Sequence, residues 1–408
     1  MYLTDENWLE LTQSKVRQFL LENVDEDPAV FALKQSKKDF PYAIIATQIK
    51  YLQRARKKLP TYFQHRAIIP PLAYEQSSSE LVAELKELQG ETLLDLTLGL
   101  GVDSSALSRR FTNITSLERD HVLSRITGYN FDLFGITNVE IRSETAENYL
   151  RSYTGPVYDW IYADPARRDA GGKRIHDVTQ TDPNIIALLP DLQKAGRKLL
   201  VKASPLLDLR AAAQMLPGVE RVWVHSLDGE VKEVLVEVNL RKDQAIPLEE
   251  VVVGIKIQQG DIRYSYAVPL LPTLDQSVEA PGDQFAYLCE PDPAIYKYQG
   301  LGTWYKANFG ECSAHLNHLR GYFFSNNRPE NWPGRIFRLR EQWPYKPKSL
   351  RRALADRGLK RLNVMRRHFP QDVSQIRKQL KIAEGGDLFL ICSEWQGEKV
   401  AWLAERVR

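Results

Sequence analysis

Residues 92–101 read Thr-Leu-Leu-Asp-Leu-Thr-Leu-Gly-Leu-Gly, an apolar strand pattern that runs straight into a glycine turn. Taken alone, an Asp-x-x-x-Gly-x-Gly turn could belong to any nucleotide-binding α/β domain. The series that follows it is more restrictive. Glu118 closes a second apolar stretch, Glu144 a third, and Asp164-Pro165 a fourth. Four strands that each bring a carboxylate to their C-terminal end predict a nucleoside cofactor lying across the top of a doubly wound sheet.

The surrounding pattern predicts the sheet itself. Strand-like runs fall at 92–97, 114–118, 139–142, 157–163, 198–203, 220–227 and 231–238. Helical spacing lies between most of them, at 103–110, 121–132, 183–194 and 206–216. The last two runs are separated only by Asp228-Gly229-Glu230, a hairpin signal. A mostly parallel α/β sheet that ends in an antiparallel hairpin is similar to the strand plan of class I methyltransferases; a plain dinucleotide-binding domain lacks that hairpin. Before it, residues 1–75 read as helical, and Ser77-x-x-Glu80 has capping-box spacing ahead of a helix running through Leu88. After about 245 a hairpin around Gln259-Gly260-Asp261 leads into a Tyr/Trp-rich stretch. The terminus predicts strand 335–340, helix 349–357, strand 360–366, helix 372–380 and a hairpin around Gln396-Gly397. Four regions result: 1–75 helical, 76–244 the doubly wound domain, 245–333 a small α+β domain, and 334–408 a basic domain.

Charge separates the last region from the rest. The 408 residues carry a formal net charge of +3. Residues 334–408 hold 18 Lys and Arg against 8 Asp and Glu, a net of +10, while the remainder carries 37 against 44, a net of −7. A basic module on a mildly acidic body points to a polyanionic partner, with a solvated basic surface as the plain alternative. No apolar run approaches the ~18–20 residues of a membrane span. The first residues, Met1-Tyr2-Leu3-Thr4-Asp5-Glu6, lack the basic start and apolar stretch of a signal peptide. Three scattered cysteines (Cys289, Cys312, Cys392) fit a reducing compartment, so a cytoplasmic location is expected. Seven His and three Cys without ligand spacing predict no metal site.

Within the predicted site, Asp95 ends a strand, and Gly99 and Gly101 let the backbone pass close to a ligand. Asp103-Ser104-Ser105 reads as a helix cap. Glu118, about 20 residues past the glycines, stands where an acid accepts hydrogen bonds from a ribose diol. Glu144 stands where a side chain meets the adenine amino group, with Glu147 a competitor. Asp164-Pro165-Ala166-Arg167-Arg168 follows the fourth strand. It resembles the Asp/Asn-Pro-Pro-aromatic loop of exocyclic-amine methyltransferases, but Ala166 and Arg167 replace the second proline and the aromatic residue. A guanidinium there can stack on a base or grip a phosphate. Lys202 reads either as a substrate contact or as a partner of Asp164 or Asp208.

Together these stretches resemble a bacterial family of class I S-adenosylmethionine-dependent methyltransferases with a ferredoxin-like insert and a C-terminal THUMP-like domain. The resemblance runs through Tyr74-Glu75-Gln76-Ser77-Ser78-Ser79-Glu80, Asp95 to Ser104, Asp164 to Arg168, Lys202-Ala203-Ser204-Pro205, Glu290-Pro291-Asp292-Pro293-Ala294 and Leu380 to Asp387. Leu98 departs from it, standing where a glycine is expected. It implies S-adenosylmethionine as cofactor, held by Asp95, Thr97, Gly99, Gly101, Glu118, Glu144 and Asp164. It implies catalysis by Asp164, Pro165 and Arg167, and a substrate set of Gln76, Arg167, Arg168 and Lys202. THUMP-type domains accompany RNA-modifying enzymes, so the resemblance together with the basic terminus makes structured RNA (tRNA or rRNA) the expected substrate, methylated on a nucleobase nitrogen. No cysteine follows Asp164-Pro165, which disfavours a covalent cysteine route. Two other readings stand beside this one: methylation of a small anionic metabolite gripped by Arg167 and Arg168, and a non-catalytic RNA-binding protein on a methyltransferase scaffold.

Overall fold

The computed structural model describes residues 3–33, 40–166, 181–272, 285–309, 315–316 and 321–407. The chain divides into two compact units, Met1–Val222 with Glu233–Ile246, and Trp223–Lys232 with Pro247–Arg408.

One sheet carries strands β1 (Gly90–Asp95), β2 (Phe111–Leu117), β3 (Val139–Arg142), β4 (Tyr158–Ala163), β5 (Gly196–Ala203), β6 (Val219–Leu227) and β7 (Glu230–Asn239). Their order is β3-β2-β1-β4-β5-β7-β6. The first five are parallel, and β7 runs antiparallel to β5. The chain winds outward from β1 in both directions, so β1 and β4 flank the topological switch point, where ligands bind at the carboxyl ends. Strands covered on both faces must be apolar throughout, and Leu93, Leu94, Ile161, Tyr162, Leu199 and Leu200 are almost completely buried. The hairpin signal is realised at Asp228 and Gly229, both with positive φ (50° and 80°), as a type I′ turn requires.

The N-terminal helices pack onto this sheet's glycine turn. Helix Tyr42–Lys58 buries Ile45, Ile49, Leu52 and Ala55, a stripe at helical spacing. That stripe shares a core with Leu100, Val102, Ala106 and Ile126. Two polar contacts fix the docking: the Tyr62 hydroxyl donates to the Leu100 carbonyl at 2.7 Å, and buried Asn130 exchanges two 2.9 Å bonds with the backbone of Ile68. The expected capping box is not formed. The helix is only Glu80–Glu84, its cap is Ser79, and Glu80 is drawn instead to the backbone and hydroxyl of Thr61, at 2.9 and 2.7 Å. β1 opens at Gly90, two residues past the expected end of that helix at Leu88.

In the second unit β8 (Val252–Gln259) and β9 (Ile262–Pro269) form the expected hairpin. A seven-stranded sheet follows: β10 (Tyr287–Pro291), β11 (His315–Leu316), β12 (Phe323–Ser325), β13 (Gly334–Pro344), β14 (Asn363–Arg366), β15 (Leu388–Trp395) and β16 (Glu398–Val407), in the order β11-β12-β10-β13-β16-β15-β14. Helices Pro347–Asp356 and Val373–Leu380 bury Leu350, Leu354, Ile376 and Leu380 in one core with Leu390, Cys392 and Leu403. β14 and β15 are parallel and joined through the second of those helices, as parallel neighbours require.

Replacing Asn130 by Ala leaves the buried Ile68 N–H and carbonyl without partners. A loss of about 2–4 kcal/mol is expected, with earlier proteolytic cleavage before residue 70. Denaturant unfolding and timed proteolysis measure both, and unchanged values would show that this pair does not hold the N-terminal helices.

Candidate active site

Strand register brings the predicted carboxylates to one rim. Asp95 lies opposite Ser116 on one side and Tyr162 on the other, while Glu118 and Asp164 each follow the last residue of their strands. Glu118 takes the backbone N–H of Gly99 on one carboxylate oxygen and that of Asp120 on the other, both at 2.9 Å. The acid after β2 is thus tied to the glycine turn after β1. Burial raises its pKa, and the two N–H bonds offset part of that rise. Glu144 sits just past β3, half-buried, and its side chain has no partner among the described residues.

The two glycines do different work. Gly101 has φ +82°, and an added Cβ would lie 2.7 Å from Thr127 and from Phe131, so only glycine fits. Gly99, at φ +54°, has almost nothing around the Cβ position, the nearest atom being the Thr97 carbonyl at 4.0 Å. Its carbonyl is held by the Thr127 hydroxyl at 2.9 Å. Gly99 therefore leaves open space on that side of the turn.

Asp95 braces the turn from beneath. It is about 1% exposed and accepts from the Thr97 N–H at 2.9 Å and the Ser104 hydroxyl at 2.6 Å. Ser104 and Asp103 do not cap the helix. That helix is Val102–Leu107 with Gly101 at its cap, and Asp103 reaches Lys86 at 2.9 Å and the Tyr162 hydroxyl at 3.0 Å.

Asp164 is placed by two contacts. Its N–H donates to the Thr97 hydroxyl at 2.7 Å, and its Oδ2 accepts from the Lys202 ammonium, also at 2.7 Å. Asp208 is not the partner of Lys202; it caps helix Leu209–Ala213. Behind Lys202 lie Ser78, 3.0 Å away, and Glu233, 3.8 Å away; Glu233 is also paired with fully buried Lys86 at 2.8 Å. Burial alone would lower the pKa of Lys202, but Asp164, Glu233 and Asp103 outweigh it and raise the value. Lys86 is raised in the same way, by Asp103 and Glu233 against burial. Pro165 is buried, and Ala166 pairs through its backbone with Asp182, which also forms an ion pair with Arg119. Gln76 ends helix Pro71–Gln76 with an exposed side chain. Arg167 and Arg168 lie outside the described residues.

Sequence reasoning missed Lys86, Glu233 and Ser78. A signal existed for one of them: Glu233 is one of three charges in the strand-like stretch Val231 to Val238, and a charge inside a buried strand must be paired. Among the described residues no group of three or more His, Cys, Asp or Glu could hold a metal, and no helix is long and apolar enough to cross a membrane. Burial pushes the thiols of Cys289 and Cys392 up to about 12.

Burial also pushes the Asp95 carboxyl up to about 7, against the Ser104 and Thr97 hydrogen bonds that favour its ionised form. Folding thus raises this pKa, so the native state holds a proton that the unfolded chain releases above about pH 4. The contribution is complete below that pH and is lost as pH rises towards 7. The stability of the wild type relative to Asp95→Asn should therefore fall between pH 4.5 and 7.5, by up to about 4 kcal/mol. A difference that stays flat across this range would contradict a buried, titrating Asp95.

Comparison with known proteins agrees with this architecture. The THUMP domain-like family matches residues 334–406. A protein of Porphyromonas gingivalis W83 assigned as a methyltransferase superposes over 100% of both chains, with a TM-score of 0.80 and 25% identity. An rRNA methylase of Streptococcus thermophilus aligns with 40% of this chain and 94% of its own, at 13% identity and a TM-score of 0.29. TrmK of M. capricolum, solved with S-adenosylhomocysteine, aligns with 40% of this chain and 68% of its own, at 12% identity and a TM-score of 0.30. The last two likenesses are too slight to carry an argument. No curated protein matches the sequence. The chain is a class I methyltransferase fold that carries a THUMP-like domain at its C-terminus.

Proposed function

We propose that this protein is a cytoplasmic S-adenosylmethionine-dependent methyltransferase that modifies a nucleobase nitrogen of structured RNA, either tRNA or rRNA. The observation that carries the reading is the rim at the switch point. There Gly99, Glu118 and Asp164 follow three adjacent strands, Glu118 is tied to the Gly99 N–H, and the space beside Gly99 is open. This set of acceptors suits a nucleoside: Glu118 accepts from ribose hydroxyls and Glu144 from an adenine amino group. Thr97, Gly99 and Gly101 line the turn, which Asp95 holds in shape. Bound S-adenosylmethionine supplies an electrophilic methyl group on a sulfonium.

The protein's own part is orientation. Asp164 Oδ1 accepts the hydrogen of the substrate N–H, so the nitrogen lone pair faces the methyl, and the proton released on transfer passes to that carboxylate or to solvent. Pro165 fixes the chain exit. Arg167 and Arg168 are candidates for substrate contact by sequence position alone. RNA is favoured over a small anion by the basic domain. Lys348, Arg351 and Arg352 stand exposed on helix Pro347–Asp356, with Lys378 and Lys381 exposed on and just beyond the second helix.

Calorimetry with S-adenosylmethionine should show binding that Glu118→Ala weakens by about 10–100-fold, the worth of a charge-assisted hydrogen bond. Retention within twofold would remove Glu118 from the site. Lys348→Glu with Arg351→Glu should weaken tRNA or rRNA binding about tenfold and reduce the salt-dependence slope by about 2. An unchanged slope would relocate the RNA surface. Mass spectrometry of tRNA and rRNA nucleosides from a deletion strain should lack one methylated nucleoside.

A further inference from the structure

We infer that Lys202 is a positioning residue for Asp164, itself locked by Ser78 and by the buried Lys86–Glu233 pair, and that it makes no contact with substrate. This rests on the methyltransferase reading above and specifies how its acceptor is held.

An ammonium has three N–H groups. One is spent on Asp164 Oδ2 at 2.7 Å and one on the Ser78 hydroxyl oxygen at 3.0 Å, and the third side faces Glu233 at 3.8 Å. The side chain is only 13% exposed. Two of the three N–H groups are thus engaged in hydrogen bonds, and the Glu233 charge draws the third side away from a ligand. Register explains the placement. Lys202 lies opposite Leu235 across the β5–β7 pair, and Glu233, two residues from Leu235, projects from the same face. Ala163 lies opposite Val201, so Asp164 and Lys202 stand side by side as the next residues of parallel strands. Ser78 comes from the segment before β1 and also donates to Asp103 Oδ2 at 3.3 Å, the oxygen held by Tyr162. The Gln76–Ser79 stretch thereby reaches the rim through Ser78.

The consequence falls on Asp164. Its N–H is fixed by Thr97 and its Oδ2 by Lys202, which leaves Oδ1 as the acceptor with no partner among the described residues. A carboxylate pinned by one oxygen presents the other in a single direction. The same cluster sets three carboxylates (Asp103, Asp164, Glu233) against two ammoniums (Lys86, Lys202), both of them already paired. An incoming anionic nucleophile meets no unpaired cation of this cluster, whereas a neutral N–H meets an acceptor.

The test uses the full-length protein, S-adenosylmethionine with a tritiated methyl, and total tRNA and rRNA from a strain lacking the gene. Lys202→Met should lower kcat at least 100-fold while KM for RNA and Kd for the cofactor stay within threefold. Lys202→Arg should recover at least tenfold of that loss, and Ser78→Ala should lower kcat 3–10-fold. A rise in KM at constant kcat would make Lys202 a substrate contact and overturn the inference, as would an unchanged kcat in Lys202→Met. Reductive methylation mapped by peptide mass spectrometry gives a readout independent of turnover, and it remains available where Lys202→Met fails to fold. Lys202 should resist labelling in the wild type and label several-fold faster in Ser78→Ala. Equal labelling in the two proteins would refute the lock. If the wild type methylates no RNA but Lys202 is protected as described, the RNA reading falls and the lock stands.

Discussion

A buried charge has to be paired, and the Lys86–Glu233 contact shows how much of the molecule that rule organises. The two side chains are 0% and 1% exposed and 2.8 Å apart. Removing one partner of such a pair typically costs about 3–5 kcal/mol, because the other is left charged and out of water. Glu233 is drawn by Lys86 from one side and Lys202 from the other; Lys202 in turn holds Asp164, and Lys86 holds Asp103. The segment before β1, the turn after it, β4, β5 and β7 thus share one electrostatic cluster at the rim.

The carboxylates of this rim look alike in sequence and differ in environment. Asp95 is buried beneath the turn and bonded to Thr97 and Ser104, so it shapes backbone. Glu118 joins two backbone N–H groups and remains half-buried. Asp164 is fixed by one oxygen and keeps the other. Position relative to solvent and to fixed donors separates a buried brace, a half-buried acid tied to two backbone N–H groups and an acid with one oxygen open, although all three are acids at strand ends.

The Glu290-Pro-Asp-Pro-Ala stretch has a structural account. Glu290, about 6% exposed, forms ion pairs with Arg335 and Arg367, and Arg367 also lies over the ring of Tyr296. Asp292 caps the short helix that Pro293 begins. These contacts tie β10 to β13 and to the residue after β14 inside one sheet. The charges left exposed, among them Lys348 and Arg351, sit on the outer sides of helices whose inner sides hold Leu350 and Leu354.

By itself the sequence determined whatever depends on near neighbours along the chain. Alternation and apolar runs located the strands; Asp228-Gly229 and Gln396-Gly397 marked turns that do take positive φ; helical spacing located the two C-terminal helices, whose buried residues Leu350, Leu354, Ile376 and Leu380 the fold then supplied. The acids at strand ends were legible because one residue past a strand is a local property. The capping box at Ser77 failed because Thr61, 19 residues away, competes for Glu80. Only the tertiary structure decided that Asp103 serves Lys86 rather than a helix cap, that Lys202 chooses Asp164 over Asp208, and that Lys86 and Glu233 meet across 147 positions of sequence. The reason is physical. Backbone periodicity acts over a few residues, whereas charge pairing acts through space, and sequence separation carries no information about it until the sheet has set its strand order and register.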